Sequence, residues 1–137
     1  MLVKEVQLRV RYGETDQMGY VYYGKYAEYF EVGRVELIRD IGVPYTLIEE
    51  RGILMPVAEL QIQYKRPAHY DDLLTVRTIV RELPRSSFMT WYEVLRARGE
   101  LLVTGSVKLA FIDKTRNIPV RVPSFLLEAV EAHWLPA

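Results

Sequence analysis

The chain has 137 residues, of which 50% are hydrophobic and 26% are charged. This size and composition are typical of one compact domain that buries a core without metals or disulfides, so we expect a single domain over residues 1–137. Lys and Arg together number 18, as do Asp and Glu, and the formal net charge is zero. This balance argues against a nucleic-acid or anionic-membrane partner.

The sequence contains no cysteine, which excludes disulfides, a thiolate nucleophile and thiolate metal sites. His69 and His133 have no neighbours in the sequence that would complete a metal site, so no metal is expected. The N-terminal residues alternate charged and apolar types, unlike a signal peptide. No run of about 18 apolar residues could span a membrane. These features favour a cytoplasmic location.

The first predicted element is a strand followed by a polar loop. Residues 3–12 alternate apolar and polar side chains, the period of a half-buried strand. Residues 13–19 then form a segment bounded by two glycines, which predicts a loop. Asp16 lies inside this loop.

Two helices are predicted next. From Tyr22 to Ile41, apolar residues recur every three or four positions, which predicts an amphipathic helix of about 18 residues. Gly42 and Pro44 end this helix. A shorter helix is predicted over residues 45–50.

The next part of the chain predicts four long strands and a terminal helix. The strands are expected at residues 58–65, 73–82, 87–98 and 101–112. Short polar connections separate the last three, so these should form an antiparallel meander. Apolar periodicity after Pro123 predicts a final helix over residues 124–133.

This order of elements predicts an α+β architecture in which one antiparallel sheet of five strands covers one long helix. Such a sheet has two edges whose backbone groups are unpaired, and an outer face that nothing covers. A second copy of the chain could cover them, so a homo-oligomer is expected.

Asp16 is the leading candidate for chemistry because its loop precedes the long helix. A helix N-terminus has unpaired N–H groups and partial positive charge, which suit the oxyanion formed when a thioester carbonyl is attacked. A nearby carboxylate could attack that carbon or activate a water. The competing interpretation is a turn aspartate that accepts bonds from its own backbone.

The motif Thr15-Asp16-x-x-Gly19-x-Val21-Tyr22, with Tyr26 after it, resembles the hotdog-fold thioesterases. The particular resemblance is to the 4-hydroxybenzoyl-CoA thioesterase branch, which also contains the bacterial Tol-Pal-associated acyl-CoA thioesterases. Similar element order extends over about residues 6–125. The resemblance implies a hotdog fold, in which a five-stranded antiparallel sheet wraps around one long central helix, and hydrolysis of acyl-CoA thioesters.

The resemblance also implies roles for individual residues. Asp16 matches the catalytic carboxylate, and the backbone N–H of Tyr23 matches the group that polarises the thioester carbonyl. Six further residues are candidates for binding coenzyme A: Arg85, Ser86 and Ser87 in a loop similar to the family's phosphate-binding loop, and Lys65, Arg66 and Arg116 as weaker candidates. Coenzyme A is part of the substrate, and no cofactor is expected. We expect assembly into a dimer and further into a tetramer.

Two questions concern the residues near the predicted helix start: the partner of Lys25 and the location of the aromatic side chains. Lys25 replaces the Asn that most family members carry, and its charge could pair with Asp16, with Glu28 or with a ligand phosphate. Aromatic residues at helical spacing are usually core residues, so Tyr22 and its neighbours at Tyr26 and Phe30 are expected to pack in the interior.

Three other functions use the same fold or bind the same pantetheine arm. An acyl-acyl carrier protein thioesterase would grip the same pantetheine arm, and a noncatalytic acyl-CoA binding module would use the same fold. A hotdog hydratase is disfavoured because its pattern has His five residues after Asp, where this chain has Val21.

Overall fold

The structure is a computed structural model that describes residues 1–136. Its helices are α1 (Lys25–Asp40), α2 (Tyr45–Glu50) and α3 (Ser124–Ala132). Its strands are β1 (Leu2–Arg9), β2 (Ile53–Leu54), β3 (Val57–Tyr64), β4 (Leu73–Val80), β5 (Ser87–Arg96), β6 (Glu100–Ala110), β7 (Ile112–Asp113) and β8 (Ile118–Pro119). No helix within this described part is long and apolar enough to cross a membrane.

The long strands form one five-stranded sheet in the order β1-β4-β5-β6-β3, and every neighbouring pair is antiparallel. This confirms the predicted α+β class and the β4-β5-β6 meander. A second, small sheet joins β2, β7 and β8. Sequence periodicity did not predict it because each of its strands has only two residues.

Helix α1 packs on the inner face of the sheet, where alternate residues of β5 are buried. Phe30, which is fully buried, stacks on the ring of Tyr92 with centroids 4.2 Å apart and planes 8° from parallel. Gly105 on β6 makes room for this ring, since a Cβ added there would lie 2.5 Å from a Phe30 ring carbon. The Phe30 ring therefore joins the helix to β5 and β6.

A second close contact joins α1 to β4. Gly33 faces Thr78, and a Cβ added to Gly33 would collide with the Thr78 hydroxyl oxygen and lie 3.1 Å from Val76. Thr78 is fully buried, and its hydroxyl has no hydrogen-bond partner among residues 1–136. Gly33 thus allows the helix backbone to approach the sheet closely.

Helix α1 begins three residues later than its apolar periodicity predicts. Val21 donates its N–H to the Ala68 carbonyl, and Tyr22 donates its N–H to the Glu14 carbonyl, so both belong to the loop rather than to the helix. Tyr22 is consequently 44% exposed, and the prediction that it packs in the core was wrong. Tyr26 and Phe30 are buried as predicted.

Strand β5 ends at Arg96, two residues before its predicted end. A short 3-10 turn over Ala97–Gly99 follows, in which Arg98 has a left-handed φ of 65°. This turn reverses the chain into β6.

Strand β3 lies at one edge of the sheet and has β6 as its neighbour on one side. Seven of its eight residues are exposed, including the apolar side chains of Val57, Leu60 and Tyr64. An exposed, partly apolar edge strand has backbone groups ready to pair with another strand. Strand β3 therefore presents unpaired backbone groups and apolar side chains at one edge of the sheet.

Substitution of Gly33 by Ala should destabilise the protein by about 1–3 kcal/mol, because the added methyl overpacks the contact with Thr78. Urea unfolding of Gly33→Ala would measure the loss. Gly13→Ala is the control, since a Cβ at Gly13 has no neighbour within 4 Å. Adding Thr78→Ala to Gly33→Ala should recover part of the stability. Equal stability of Gly33→Ala and the unsubstituted protein would contradict the close contact.

Candidate functional site

The Asp16 loop folds on itself through backbone hydrogen bonds. Asp16 donates its N–H to the Tyr20 carbonyl at 2.8 Å, and Gly19 donates its N–H to the Asp16 carbonyl at 2.9 Å. Gly19 has a φ of +81°, a conformation that side chains with a Cβ rarely adopt. A bridge between Thr15 and Val21 closes the base of the loop. Asp16 is therefore held at the first position of a defined turn.

One oxygen of the Asp16 carboxylate serves this turn. Its Oδ1 accepts the N–H of Met18 at 2.9 Å and that of Tyr20 at 3.2 Å. Its Oδ2 has no hydrogen-bond donor among the residues of the described chain. The turn interpretation and the reactive interpretation are thus compatible, because each uses a different oxygen. The hydrogen bonds from these two N–H groups also fix the direction of the Asp16 side chain, which is half-buried.

Glu14 anchors the loop to helix α1, a role that sequence reasoning missed. The Glu14 carboxylate accepts the Tyr29 hydroxyl at 3.1 Å and the Arg11 N–H at 2.8 Å. Burial raises the pKa of Tyr29, and the charge of Glu14 raises it further, so the hydroxyl stays a donor. Tyr29 is itself buried, and the bond therefore ties the loop to a fixed part of the helix.

The start of α1 lacks a capping side chain. Gly24 occupies the N-cap position, and no side chain accepts a hydrogen bond from the first helical N–H groups. Lys25 donates its N–H to the Tyr22 carbonyl at 2.9 Å, whereas no acceptor for the Tyr23 N–H lies within residues 1–136. The Lys25 ammonium forms a salt bridge with Glu28 at 3.0 Å, which is one of the three partners expected for it. The amide proposed for the oxyanion is therefore unoccupied by other parts of the protein.

A cleft of about 260 Å³ lies between the Asp16 loop, the start of α1 and the segment that follows β3. Its lining residues are Asp16, Met18, Tyr20, Val21, Tyr23, Tyr26, Tyr64, Lys65, Arg66 and Pro67. The structure thus brings together four of the residues that the sequence singled out, namely Asp16, Tyr23, Lys65 and Arg66. The lining combines one carboxylate, two cations and several aromatic rings.

The other candidate residues lie elsewhere in the chain. Arg85, Ser86 and Ser87 line a separate depression at the turn between β4 and β5. Arg116 lies in the turn between β7 and β8, where its guanidinium pairs with Asp113 at 3.3 Å. Within one chain, therefore, these four residues do not share a cleft with Asp16.

Arg96, at the end of β5, organises the segment that carries Lys65 and Arg66. Its guanidinium contacts Asp72 at 3.0 Å, Glu100 at 2.9 Å and the Pro67 carbonyl at 3.3 Å. Arg96 is therefore a salt-bridge residue with two acidic partners. Its contact with Pro67 gives it a further role that the sequence did not indicate, since Pro67 lines the cleft.

Asp72, one of the two acidic partners of Arg96, makes the stability of the fold depend on pH. Burial alone would raise the pKa of Asp72, but the His69 N–H at 2.9 Å and the Arg96 guanidinium outweigh it and hold the pKa below its ordinary value. A carboxyl whose pKa is lower in the folded state stabilises the fold above its unfolded-state pKa. This stabilisation is lost as the pH falls through the folded-state pKa.

Known proteins resemble the chain over most of its length. The family model described as "Thioesterase-like superfamily" matches residues 10–130. YneP of Bacillus subtilis strain 168 is 36% identical over 88% of this chain and 88% of its own. The acyl-CoA thioesterase YbgC of Haemophilus influenzae is 35% identical over 85% of each chain. The crystal structure of a DHNA-CoA thioesterase from Staphylococcus aureus superposes with a TM-score of 0.89 at 34% identity, covering 97% of this chain and 89% of that one.

The stabilising effect of Asp72 should be largest near neutral pH and should shrink below about pH 4, as the carboxylate becomes protonated. The quantity to measure is the difference in urea-unfolding free energy between the unsubstituted protein and Asp72→Asn from pH 7 to pH 2. In an Arg96→Met background the same difference should depend less on pH. A difference that grows as the pH falls would contradict the assigned ion pair.

Proposed function

Because the chain belongs to the thioesterase-like superfamily, we propose that it hydrolyses acyl-coenzyme A thioesters to a free carboxylic acid and coenzyme A. The observation that carries the proposal is the cleft in which the Asp16 carboxylate and the uncapped start of α1 lie together. A carboxylate beside free backbone donors supplies the two functions that thioester hydrolysis requires: attack on carbon and stabilisation of the oxygen charge.

In the proposed mechanism, the Tyr23 N–H donates to the thioester carbonyl oxygen. The partial positive charge of the α1 N-terminus adds to this stabilisation as negative charge develops on the oxygen. The free Oδ2 of Asp16 then either activates a water or attacks the carbonyl carbon itself. When water attacks, its oxygen forms the new C–O bond and the C–S bond breaks. When Asp16 attacks, an acyl anhydride forms as the C–S bond breaks, and water then hydrolyses the anhydride to free acid and restores the carboxylate. In both routes a proton from water ends on the sulfur of coenzyme A, and no cofactor takes part.

The distribution of cations supports free coenzyme A as the acyl carrier. Arg66 and Arg116 are already paired with Glu100 and Asp113. Lys65 and Arg85 have no carboxylate within 4.0 Å in the described part of the chain, so their charges are available to phosphates. We therefore assign phosphate binding mainly to these two residues. Lys65 lines the Asp16 cleft, whereas Arg85 lies apart from it.

A dimer would allow Arg85 and Asp16 to serve one site although they lie apart within a chain. In our proposal two copies associate through the exposed edge strand β3, and each coenzyme A lies between chains. The Asp16 cleft of one chain would then meet Arg85 of the other. Further pairing into a tetramer, assignment to the 4-hydroxybenzoyl-CoA and Tol-Pal-associated branch, and the cytoplasmic location expected from the cysteine-free sequence belong to the same proposal.

Asp16→Asn should lower kcat for acyl-CoA hydrolysis by about 100-fold or more, because an amide is neither a nucleophile nor an effective base. The Asn oxygen can still accept the Met18 and Tyr20 amides, so the fold and coenzyme A affinity should persist. Steady-state kinetics on short, long and aromatic acyl-CoAs, with calorimetric titration of coenzyme A, would measure both properties.

Asp71→Asn is the matched control for that variant. Asp71 is exposed and has a left-handed φ of 69°, which Asn tolerates. Turnover of acyl-CoA by Asp71→Asn should equal that of the unsubstituted protein. If Asp16→Asn also hydrolysed acyl-CoA at the original rate, Asp16 would be a turn residue only. A protein that binds acyl-CoA without any turnover would instead be a binding module.

Arg85→Ala should raise KM for acyl-CoA more than it lowers kcat, since a phosphate far from the thioester is held similarly in the ground and transition states. Hydrolysis of acyl-pantetheine, which lacks the nucleotide phosphates, should be unaffected.

Mixing the Asp16→Asn and Arg85→Ala proteins should restore some unsubstituted sites if the two residues act across an interface. Proven subunit exchange without restored activity would contradict the shared site, and a single-chain mass by light scattering at fully active concentration would contradict the dimer.

A further inference from the structure

Tyr64, the last residue of β3, contacts the backbone at the start of α1. Its hydroxyl donates to the Tyr23 carbonyl at 3.1 Å, across 41 positions of sequence. The Tyr64 ring also packs edge-to-face on Tyr26, with centroids 5.7 Å apart. The side chain is half exposed and lines the Asp16 cleft. A residue of the edge strand thus reaches the backbone where the oxyanion is proposed to bind.

The bond from Tyr64 completes a pair of anchors on the two sides of Tyr23. On the N-terminal side, the carbonyl of the Tyr22–Tyr23 peptide accepts the Lys25 N–H at 2.9 Å. On the C-terminal side, the carbonyl of the Tyr23–Gly24 peptide accepts the Tyr64 hydroxyl. With both peptides held, the turn that carries the Tyr23 N–H is restrained on both sides of the Tyr23 Cα.

No capping side chain performs this task at the start of α1. The segment just before the helix makes backbone bonds through Val21 and Tyr22, but the Tyr23–Gly24 peptide has only the Tyr64 hydroxyl as a side-chain partner within residues 1–136. The Tyr23–Gly24 peptide is the central peptide of the turn that the Lys25 N–H closes on the Tyr22 carbonyl. Without the Tyr64 hydroxyl, no side chain would restrain its rotation.

We propose that Tyr64 is a positioning residue for thioester hydrolysis: its hydroxyl holds the Tyr23–Gly24 peptide so that the Tyr23 N–H faces the substrate carbonyl. This inference rests on the function proposed above. Preorganised donors stabilise the transition state because they need not reorient as charge develops. Loss of the hydroxyl therefore weakens stabilisation of the oxyanion and leaves binding of the coenzyme A portion unchanged.

The ionisation behaviour of Tyr64 agrees with a donor role. Burial raises the pKa of the Tyr64 hydroxyl, and its proximity to Tyr23 raises that pKa further. The group therefore remains protonated, and able to donate, throughout the neutral and mildly alkaline range.

The test is Tyr64→Phe, which removes the hydroxyl and keeps the ring that packs on Tyr26. We expect kcat to fall about tenfold, the scale of one hydrogen bond, while KM and the affinity for coenzyme A stay unchanged. Tyr45→Phe is the matched control. It removes a hydroxyl that binds Arg34 on the same helix at 3.3 Å, away from the cleft. This control should lose thermal stability and keep kcat.

Nuclear magnetic resonance detects the contact directly. Tyrosine is followed by glycine at two places in the chain, Tyr12-Gly13 and Tyr23-Gly24. Labelling tyrosine with carbonyl ¹³C and glycine with ¹⁵N therefore gives two carbonyl–amide correlations. In Tyr64→Phe the Tyr23 carbonyl resonance should move upfield as its hydrogen bond is lost. The Tyr12 carbonyl accepts the Thr15 hydroxyl and N–H instead, and its resonance should not move.

The outcomes separate this inference from the proposed function. Loss of kcat together with a shifted Tyr23 carbonyl supports positioning by Tyr64. An unchanged kcat in Tyr64→Phe, or a raised KM with unchanged kcat, overturns positioning while wild-type hydrolysis still supports the thioesterase function. An unshifted Tyr23 carbonyl overturns the contact itself. If the wild-type protein hydrolyses no acyl-CoA, the proposed function fails and the inference fails with it.

Discussion

The close packing of helix α1 on the sheet is the constraint on which the rest of the structure depends. Gly33 lets the helix backbone approach Thr78, and Phe30 stacks on Tyr92 in space left by Gly105. Interiors packed at this density transmit small displacements rather than absorb them. The position of the helix axis, and with it the location of the uncapped N-terminus, is therefore set by contacts in the core that lie outside the cleft.

The Asp16 loop is held relative to that helix by a few hydrogen bonds. Glu14 joins the loop to Tyr29, and the Val21 N–H joins it to the Ala68 carbonyl beside the other wall of the cleft. Arg96 holds that wall through the Pro67 carbonyl. Two of these bonds link a regular element, α1 or β5, to a loop, and the third links two loops to each other. The cleft thus depends on the core indirectly, through these polar contacts.

The sequence predicted those features that local periodicity encodes. The meander strands, α2 and the burial of Tyr26 follow from alternation or from a period of three to four residues. The start of α1 was predicted too early because Tyr22 fits the helical period but pairs instead with the Glu14 backbone. The polar bonds of the site join residues 15, 29 and 41 positions apart, and local patterns carry no signal for such pairs. The family motif singled out Asp16 and Tyr23 as candidates, and the fold places both in one cleft. The contacts of Arg96 and Tyr64 become visible only in the fold.

The edge strand β3 combines an exposed edge with a hydrogen bond to the start of α1. Its exposed backbone and apolar side chains make it the surface that a second chain would cover, and its last side chain, Tyr64, donates to the backbone at the start of α1. An unpaired edge strand frays more readily than a paired one because half of its backbone groups bond only to water. Pairing β3 with a second copy would therefore restrict the motion of Tyr64 and of the peptide it holds. Assembly would then contribute to the order of the proposed oxyanion site and would also supply Arg85 from the other chain.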